Sequence, residues 1–149
     1  MMQLTDTGVA DAIGTVVASD SDNGLLLTPY LHGLTPGEHG FHVHENPSPS
    51  CAPNMKDGKP VPGLGAAGHH DPGRTDRHEG PTGQGHLGDL PALSVDATGR
   101  AGPPVLAPRL RVADLRGRSL IIHAGGDNYS DQPKPLGGGG ARIACGIID

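Results

Sequence analysis

Hydrophobic positions in the first forty-odd residues fall in short runs separated by turn signals. Ile13-Gly14-Thr15-Val16-Val17-Ala18-Ser19 is rich in β-branched residues and stops at Asp20-Ser21-Asp22-Asn23-Gly24, a turn sequence. Leu25 to Leu31 is the next apolar run. Pro29 within it points to an edge strand or a bulge, because proline has no N–H to give to a ladder. After the turn Gly33-Leu34-Thr35-Pro36-Gly37, Glu38 to Glu45 alternates as a strand. Ala92 to Ala97, Leu120 to His123 and Ile143 to Ile148 read as further strands, whereas prolines weaken the stretch from Pro103 to Val112. Only Val112 to Arg116 has helical character, about one turn of it.

Short strands joined by Gly/Pro turns predict an all-β sandwich or barrel. Two segments do not fit as strands: Asn46 to Gly85, and Gly125 to Ala141 with its run Gly137-Gly138-Gly139-Gly140. Long loops in a compact domain are functional or disordered. The first carries histidines and Cys51, so it reads as a loop ordered by ligands. With no internal repeat and no linker, residues 1–149 read as a single domain.

Composition sharpens this picture. The chain has 25 Gly and 15 Pro among 149 residues, and its aromatic residues are Tyr30, Phe41 and Tyr129 alone. Such a core needs other staples, and a metal with a disulfide would supply them; the alternative for the two cysteines is a pair of buried free thiols. Of nine His, seven lie between His39 and His86. A net charge of −5 argues against a duplex-DNA binder, so no nucleic-acid partner is expected. No apolar stretch approaches the ~20 residues of a membrane span, so no membrane insertion is expected. Met1-Met2-Gln3-Leu4-Thr5-Asp6 carries no basic n-region and no apolar h-region.

In Phe41-His42-Val43-His44, strand alternation puts His42 and His44 on one face, a two-point metal grip, and assigns His39 to the other face as a structural residue. His69, His70, Asp71, His78, His86 and Asp89 follow in a Gly-rich stretch that suits a closed zinc site of N and O ligands; the alternative is a flexible polar loop with surface histidines. His123 ends an apolar strand and is followed by Asp127, a carboxylate suited to orienting a metal-bound imidazole from behind.

In this order, Gly40-Phe41-His42-Val43-His44-Glu45, Gly68-His69-x-Asp71-Pro72, His78, Gly85-His86-Leu87-Gly88-Asp89, His123 and Gly140-Ala141-Arg142-Ile143-Ala144-Cys145-Gly146 resemble copper/zinc superoxide dismutase over about Ile13 to Ile148. Glu45-Asn46-Pro47-Ser48, Lys56-Asp57-Gly58-Lys59 and Gly125-Gly126-Asp127-Asn128-Tyr129-Ser130-Asp131 are similar to the bacterial periplasmic branch. The resemblance implies a Greek-key β-sandwich or flattened barrel of about eight antiparallel strands with two long functional loops. It implies His42, His44, His69 and His123 as copper ligands, and His69, His78, His86 and Asp89 as zinc ligands, with His69 bridging. Asp127 would link a copper histidine to a zinc histidine, Arg142 would guide the anion beside copper, and Cys51 and Cys145 would form a disulfide. His32, His39 and His70 have no site role in this pattern.

The implied cofactors are a copper ion and a zinc ion. The implied reaction converts superoxide to O2 and H2O2 by alternate reduction and reoxidation of the His-ligated copper. His69 serves it as a proton store, so His69 and Arg142 are the expected catalytic residues. Superoxide, a small anion, is the expected partner, focused toward a positive site in a negative protein; Lys56, Lys59 and Lys134 extend that field or are solvated loop charges. A homodimer is open. A disulfide persists in an oxidising compartment, so the expected localisation is periplasmic or otherwise exported, with the signal segment absent from this sequence. The competing readings are a non-catalytic copper- and zinc-binding module on the same fold and a zinc hydrolase. Arg142 and Asp127, which metal storage does not need, argue against the first. Four protein ligands to zinc argue against the second.

Overall fold

The computed structural model describes residues 1–47 and 50–149; Ser48 of the Glu45–Ser48 stretch lies outside them. Among the described residues there are twelve short strands, three single 3₁₀ turns and no α-helix. The strands are β1 (Met2–Thr5), β2 (Gly8–Ala12), β3 (Gly14–Ser21), β4 (Gly24–Leu31), β5 (Gly37–His39), β6 (Phe41–His44), β7 (Asn54–Lys56), β8 (Lys59–Val61), β9 (Leu93–Val95), β10 (Val105–Ala107), β11 (Ser119–His123) and β12 (Arg142–Ile147). Every pairing is antiparallel. A five-stranded sheet runs β2-β1-β12-β11-β6 and a three-stranded sheet runs β10-β4-β3, while β5 pairs with β9 and β7 with β8.

The all-β expectation holds: the two main sheets hold eight strands, and the pairs β5-β9 and β7-β8 add four short ones. Met2–Ala12 forms two strands that the apolar pattern does not signal, because Leu4 is their one buried side chain and the partner of β1 is the distant β12. Glu38 to Glu45 is not one strand. It breaks at Gly40, where β5 joins β9 and β6 joins β11. The Asn46–Gly85 segment does contain strands: Asp57 and Gly58, both at positive φ, turn the β7–β8 hairpin, which is too exposed to show apolar alternation. The proline-weakened stretch yields β10, and the one-turn helix is the 3₁₀ turn Val112–Asp114. Pro29 is tolerated because β10 covers only Leu25–Leu27 of β4, so Pro29 faces no ladder on that side.

Strand alternation gives the large sheet two unlike faces. Phe41 and Val43 of β6, Leu120 and Ile122 of β11 and Ala144 of β12 face inward, packed with Leu25, Leu27 and Leu31 of β4, Leu90, Leu93 and Leu110. Ile121 and Cys145 point the other way and meet Leu4, Ala66 and Cys51. On that outer face stand His42, His44 and His123, beneath the two long loops.

Candidate metal centre

The ladder sets the first four positions. His44 pairs with Ser119 and His42 with Ile121, so both imidazoles leave β6 on the outer face. His123 reaches that face from the end of β11, and the isolated bridge between His44 and His69 brings the loop histidine above them. His42, His44, His69 and His123 are all buried, and each offers a nitrogen within 4.8 Å of the others. The sulfurs of Cys51 and Cys145, 94 positions apart, are bonded and tie the long loop to β12.

In each of these four rings, one nitrogen has a hydrogen-bond partner and the other has none. Nδ1 of His44 donates to the Ala67 carbonyl (2.9 Å) and Nδ1 of His123 to that of Gly140 (3.0 Å). Nε2 of His42 meets Asp127 Oδ2 at 2.7 Å, and Nδ1 of His69 meets Asp89 Oδ1 at 3.0 Å. The remaining atoms, His42 Nδ1, His44 Nε2, His69 Nε2 and His123 Nε2, are buried without a partner. Four converging orphan nitrogens would be costly if nothing filled them. They are neutral lone-pair donors as well. Burial lowers the pKa of His69 to about 4 and of His123 to about 3, and pulls His42 and His44 down too. This donor set fits a copper ion.

A second cluster shares His69. Asp89 Oδ1 is 3.0 Å from His69 Nδ1 and 3.3 Å from His86 Nδ1, and Asp89 Oδ2 is 3.0 Å from His78 Nδ1. His78 and His86 are buried as well, so the flexible polar loop is excluded. Burial alone would raise the Asp89 carboxyl, but the hydrogen bond from His69 and the close rings of His78 and His86 hold it well below the carboxylate range. Burial likewise opposes charge on His78, and contacts with Asp127 and Asp89 overcome it, raising His78 to about 9. Two carboxylates that hold a proton there also favour a divalent cation, and three imidazoles with one carboxylate fit zinc. A tighter grouping by distance puts His42 in place of His86. However, His42 is engaged by Asp127 through Nε2, and its orphan Nδ1 belongs with the first set.

Asp127 joins the two clusters. Its side chain is fully buried, Oδ2 against His42 Nε2 and Oδ1 against His78 Nε2, both at 2.7 Å. Gly137 makes room for it: a Cβ there would lie 1.9 Å from Asp127 Oδ1 and 2.8 Å from His78 Nε2. The close approach of this loop therefore demands glycine.

Arg142 reaches the centre through a bulge. Ile122 of β11 pairs with Ala144, yet His123 pairs with Arg142, so Ile143 is the extra residue. Ile143 and Ala144 both pack toward the core, and the shift returns Arg142 to the outer face that Cys145 also occupies. Nη1 of Arg142 donates to the Gly63 carbonyl and Nη2 to that of Ala67, each at 2.7 Å. The Ala67 carbonyl thus accepts from both Arg142 and His44, and it is aimed there by a backbone at φ 61, strained for alanine.

Some residues stand apart. His39 is buried with its ring nitrogens against the carbonyls of His123 (2.6 Å) and Thr35 (2.7 Å). It is structural as expected, though it lies on β5 and not on the far face of one long strand. His70 is buried outside both clusters, and His32, Lys56, Lys59 and Lys134 are exposed. The sequence alone does not single out Asp131. Its Oδ2 accepts from the N–H of His78 (2.9 Å) and its Oδ1 from that of Leu136 (3.0 Å), pinning one long loop to the other. Backbone contacts of this kind leave no mark in a motif.

The comparisons agree with this geometry. Residues 12–148 match the family described as copper/zinc superoxide dismutase. A Cu-Zn superoxide dismutase of Brucella abortus is 56% identical over 150 residues, covering 100% of this chain and 86% of that one. The solved Brucella abortus Cu/Zn superoxide dismutase superimposes with a TM-score of 0.96, covering 99% of this chain and 96% of that one at 56% identity. The monomeric copper, zinc superoxide dismutase of Salmonella enterica, solved in solution, gives a TM-score of 0.87 at 55% identity, with the same coverage of 99% and 96%. With its fold and its full length matched in this way, the chain belongs to the copper/zinc superoxide dismutase family.

Proposed function

We propose that the chain dismutes superoxide, two anions and two protons giving O2 and H2O2, at a centre held by His42, His44, His69 and His123 for copper and by His69, His78, His86 and Asp89 for zinc. The observation that carries this is the division of His69: its Nε2 lies among three other orphan imidazole nitrogens while its Nδ1 faces Asp89. Copper supplies the one-electron acceptance and return that the reaction requires, and zinc is redox-silent.

The protein's own groups do the rest. His69 Nε2, when free of metal, is a proton-accepting site at the reaction face and returns that proton to the reduced substrate. His69 Nδ1, held on the Asp89 side, keeps the ring in place meanwhile. Arg142 offers a fixed positive charge and its remaining N–H donors to a small anion. Its two carbonyl contacts hold the guanidinium still, so little freedom is lost when the anion docks. Asp127 keeps the proton on the outer nitrogens of His42 and His78, which directs their inner nitrogens toward the metals. The Cys51–Cys145 bond fits export to an oxidising compartment, the periplasm in a bacterial cell.

Arg142→Glu tests the reading. Both metals and the fold should survive. The rate should fall at least ~10-fold, because charge focusing spans ~10–10³ in on-rate. The wild-type rate should fall with rising salt, and the dependence should flatten or reverse in the variant. Parallel salt curves of equal height would remove Arg142 from the reaction.

A further inference from the structure

We infer that Arg109 is a positioning residue for the zinc side of the centre, acting through the backbone of His86. Arg109 follows β10 in a turn closed by the N–H of Leu110 on the Ala107 carbonyl, between two side chains buried in the core. The root of its side chain is therefore rigid. Its guanidinium reaches across to the first long loop and donates to three carbonyls there: Nε to Pro81 (3.3 Å), Nη1 to Gly85 (3.2 Å) and Nη2 to His86 (2.5 Å). No carboxylate pairs with it among the described residues. The whole planar fork is committed to one short stretch of backbone that ends at a proposed zinc ligand.

Other contacts hold its two ends: the Glu79 N–H meets Asp89 Oδ2 at 3.3 Å, and beyond His86 the side chain of Leu87 packs against the core and the Gly88 carbonyl accepts from the Val43 N–H of β6 (2.9 Å). From Glu79 to Gly85 it contributes no side chain to the hydrophobic core. It is folded on itself, with the N–H of His86 on the Arg77 carbonyl and that of Gln84 on Glu79. Gly85 lies so close to the Arg77 carbonyl that a Cβ would be 2.1 Å from it. Self-closure and the anchored ends give the loop its shape, and Arg109 adds a grip on the backbone from Pro81 to His86 between them. Arg109 fixes the His86 carbonyl against the body of the protein, and thereby fixes where the ring stands: Nδ1 3.3 Å from Asp89 Oδ1, its centroid 5.2 Å from that of His69. A lysine keeps the charge but cannot span three acceptors with a planar fork, so the role is specific to arginine.

This inference rests on the zinc ligand set proposed above, so His86→Ala is included in the test. Zinc affinity is measured on the full chain by competition with a chromophoric chelator for wild type, Arg109→Lys, Arg109→Ala, His86→Ala and the Arg109→Ala/His86→Ala pair. The visible spectrum of cobalt(II) placed at the zinc side is recorded alongside. Arg109→Lys should hold zinc ~10–100-fold more weakly, the range typical of groups that orient metal ligands. Its cobalt bands should change in position and intensity, and copper competition should be unchanged. Once His86 is alanine, removing Arg109 should weaken zinc little further, since the two act as one unit. A wild-type cobalt spectrum and zinc affinity in Arg109→Lys would overturn the inference, as would additive losses in the pair. Should Arg109→Ala fail to fold, the lysine variant carries the test. Weakened zinc in His86→Ala beside normal zinc in Arg109→Lys defeats the role of Arg109 alone. Normal zinc in His86→Ala defeats the ligand set, and the inference with it.

Discussion

The two faces of the five-stranded sheet are made from the same strands and held by different physics. Inward, Phe41, Val43, Leu120, Ile122 and Ala144 are buried against the smaller sheet, and apolar area removed from water stabilises them. Outward, alternate residues of those same strands are His42, His44, His123 and Arg142, roofed by loops that contribute few apolar side chains. The inner face needs nothing but itself. The outer face converges buried nitrogens that have no protein partner, so its order is tied to what binds there. The comparison teaches that one strand sequence encodes two kinds of stability, one intrinsic and one conditional.

Removing both metals should have the largest effect, because binding energy at such a site is folding energy, on the order of 10 kcal/mol for structural zinc in small domains. Hydrogen exchange should show the loss concentrated in residues 50–90 and 125–141, with β6 and β11 still protected. Uniform loss of protection would break the comparison. In the metal-free protein the sign of the pH dependence follows from the same groups. His69 at about 4 and His123 at about 3 lie below their ordinary 6.5 because they are buried. Their contribution is complete above 6.5 and is lost as pH falls through those values. His78, raised to about 9 by Asp127 and Asp89 despite burial, contributes fully below 6.5 and loses that contribution as pH rises to about 9. Urea midpoints of the metal-free chain should therefore peak near pH 6.5 and decline on both sides.

Phe41→Ala comes next. Phe41 is fully buried on the inner face, and its truncation should cost about 3–5 kcal/mol in urea unfolding. Zinc affinity of the molecules that remain folded should move by less than ten-fold. A larger metal effect than stability effect would mean that the two faces are not separable. Asp127→Asn is the outer-face counterpart and the smallest of the three. It removes a charged acceptor and no proposed metal bond, and should weaken zinc ~10–100-fold by chelator competition while copper stays bound. Unchanged zinc would release Asp127 from its role between His42 and His78.

These regions also differed in how openly the sequence displayed them. The histidine pair on β6 and the apolar run ending at His123 were legible, because alternation along a strand is a local property. The family pattern made the loop histidines, Asp127 and the Cys51–Cys145 bond legible too. What stayed hidden was set by distant partners. β1 and β2 are strands because β12 lies beside β1, and the break at Gly40 exists because β5 and β6 serve different sheets. The bulge at Ile143, the Ala67 carbonyl and the grips of Asp131 and Arg109 are backbone arrangements that residue types do not announce.

The place of β12 has a consequence for synthesis. It is the last of the twelve strands, yet it sits between β1 and β11, pairing Cys145 with Met2 on one side and with Ile121 on the other. A ribosome delivers β1 first and must then make nearly all the intervening chain before β1 meets this neighbour. Until then the large sheet has a gap at its centre, the exit-side half of the nascent chain has no closed core to commit to, and Arg142 does not yet exist. Contacts this remote in sequence form late and slowly. While it waits, the open edge of β1 is a site where another chain can pair, so the unfinished protein is exposed to aggregation until β12 arrives.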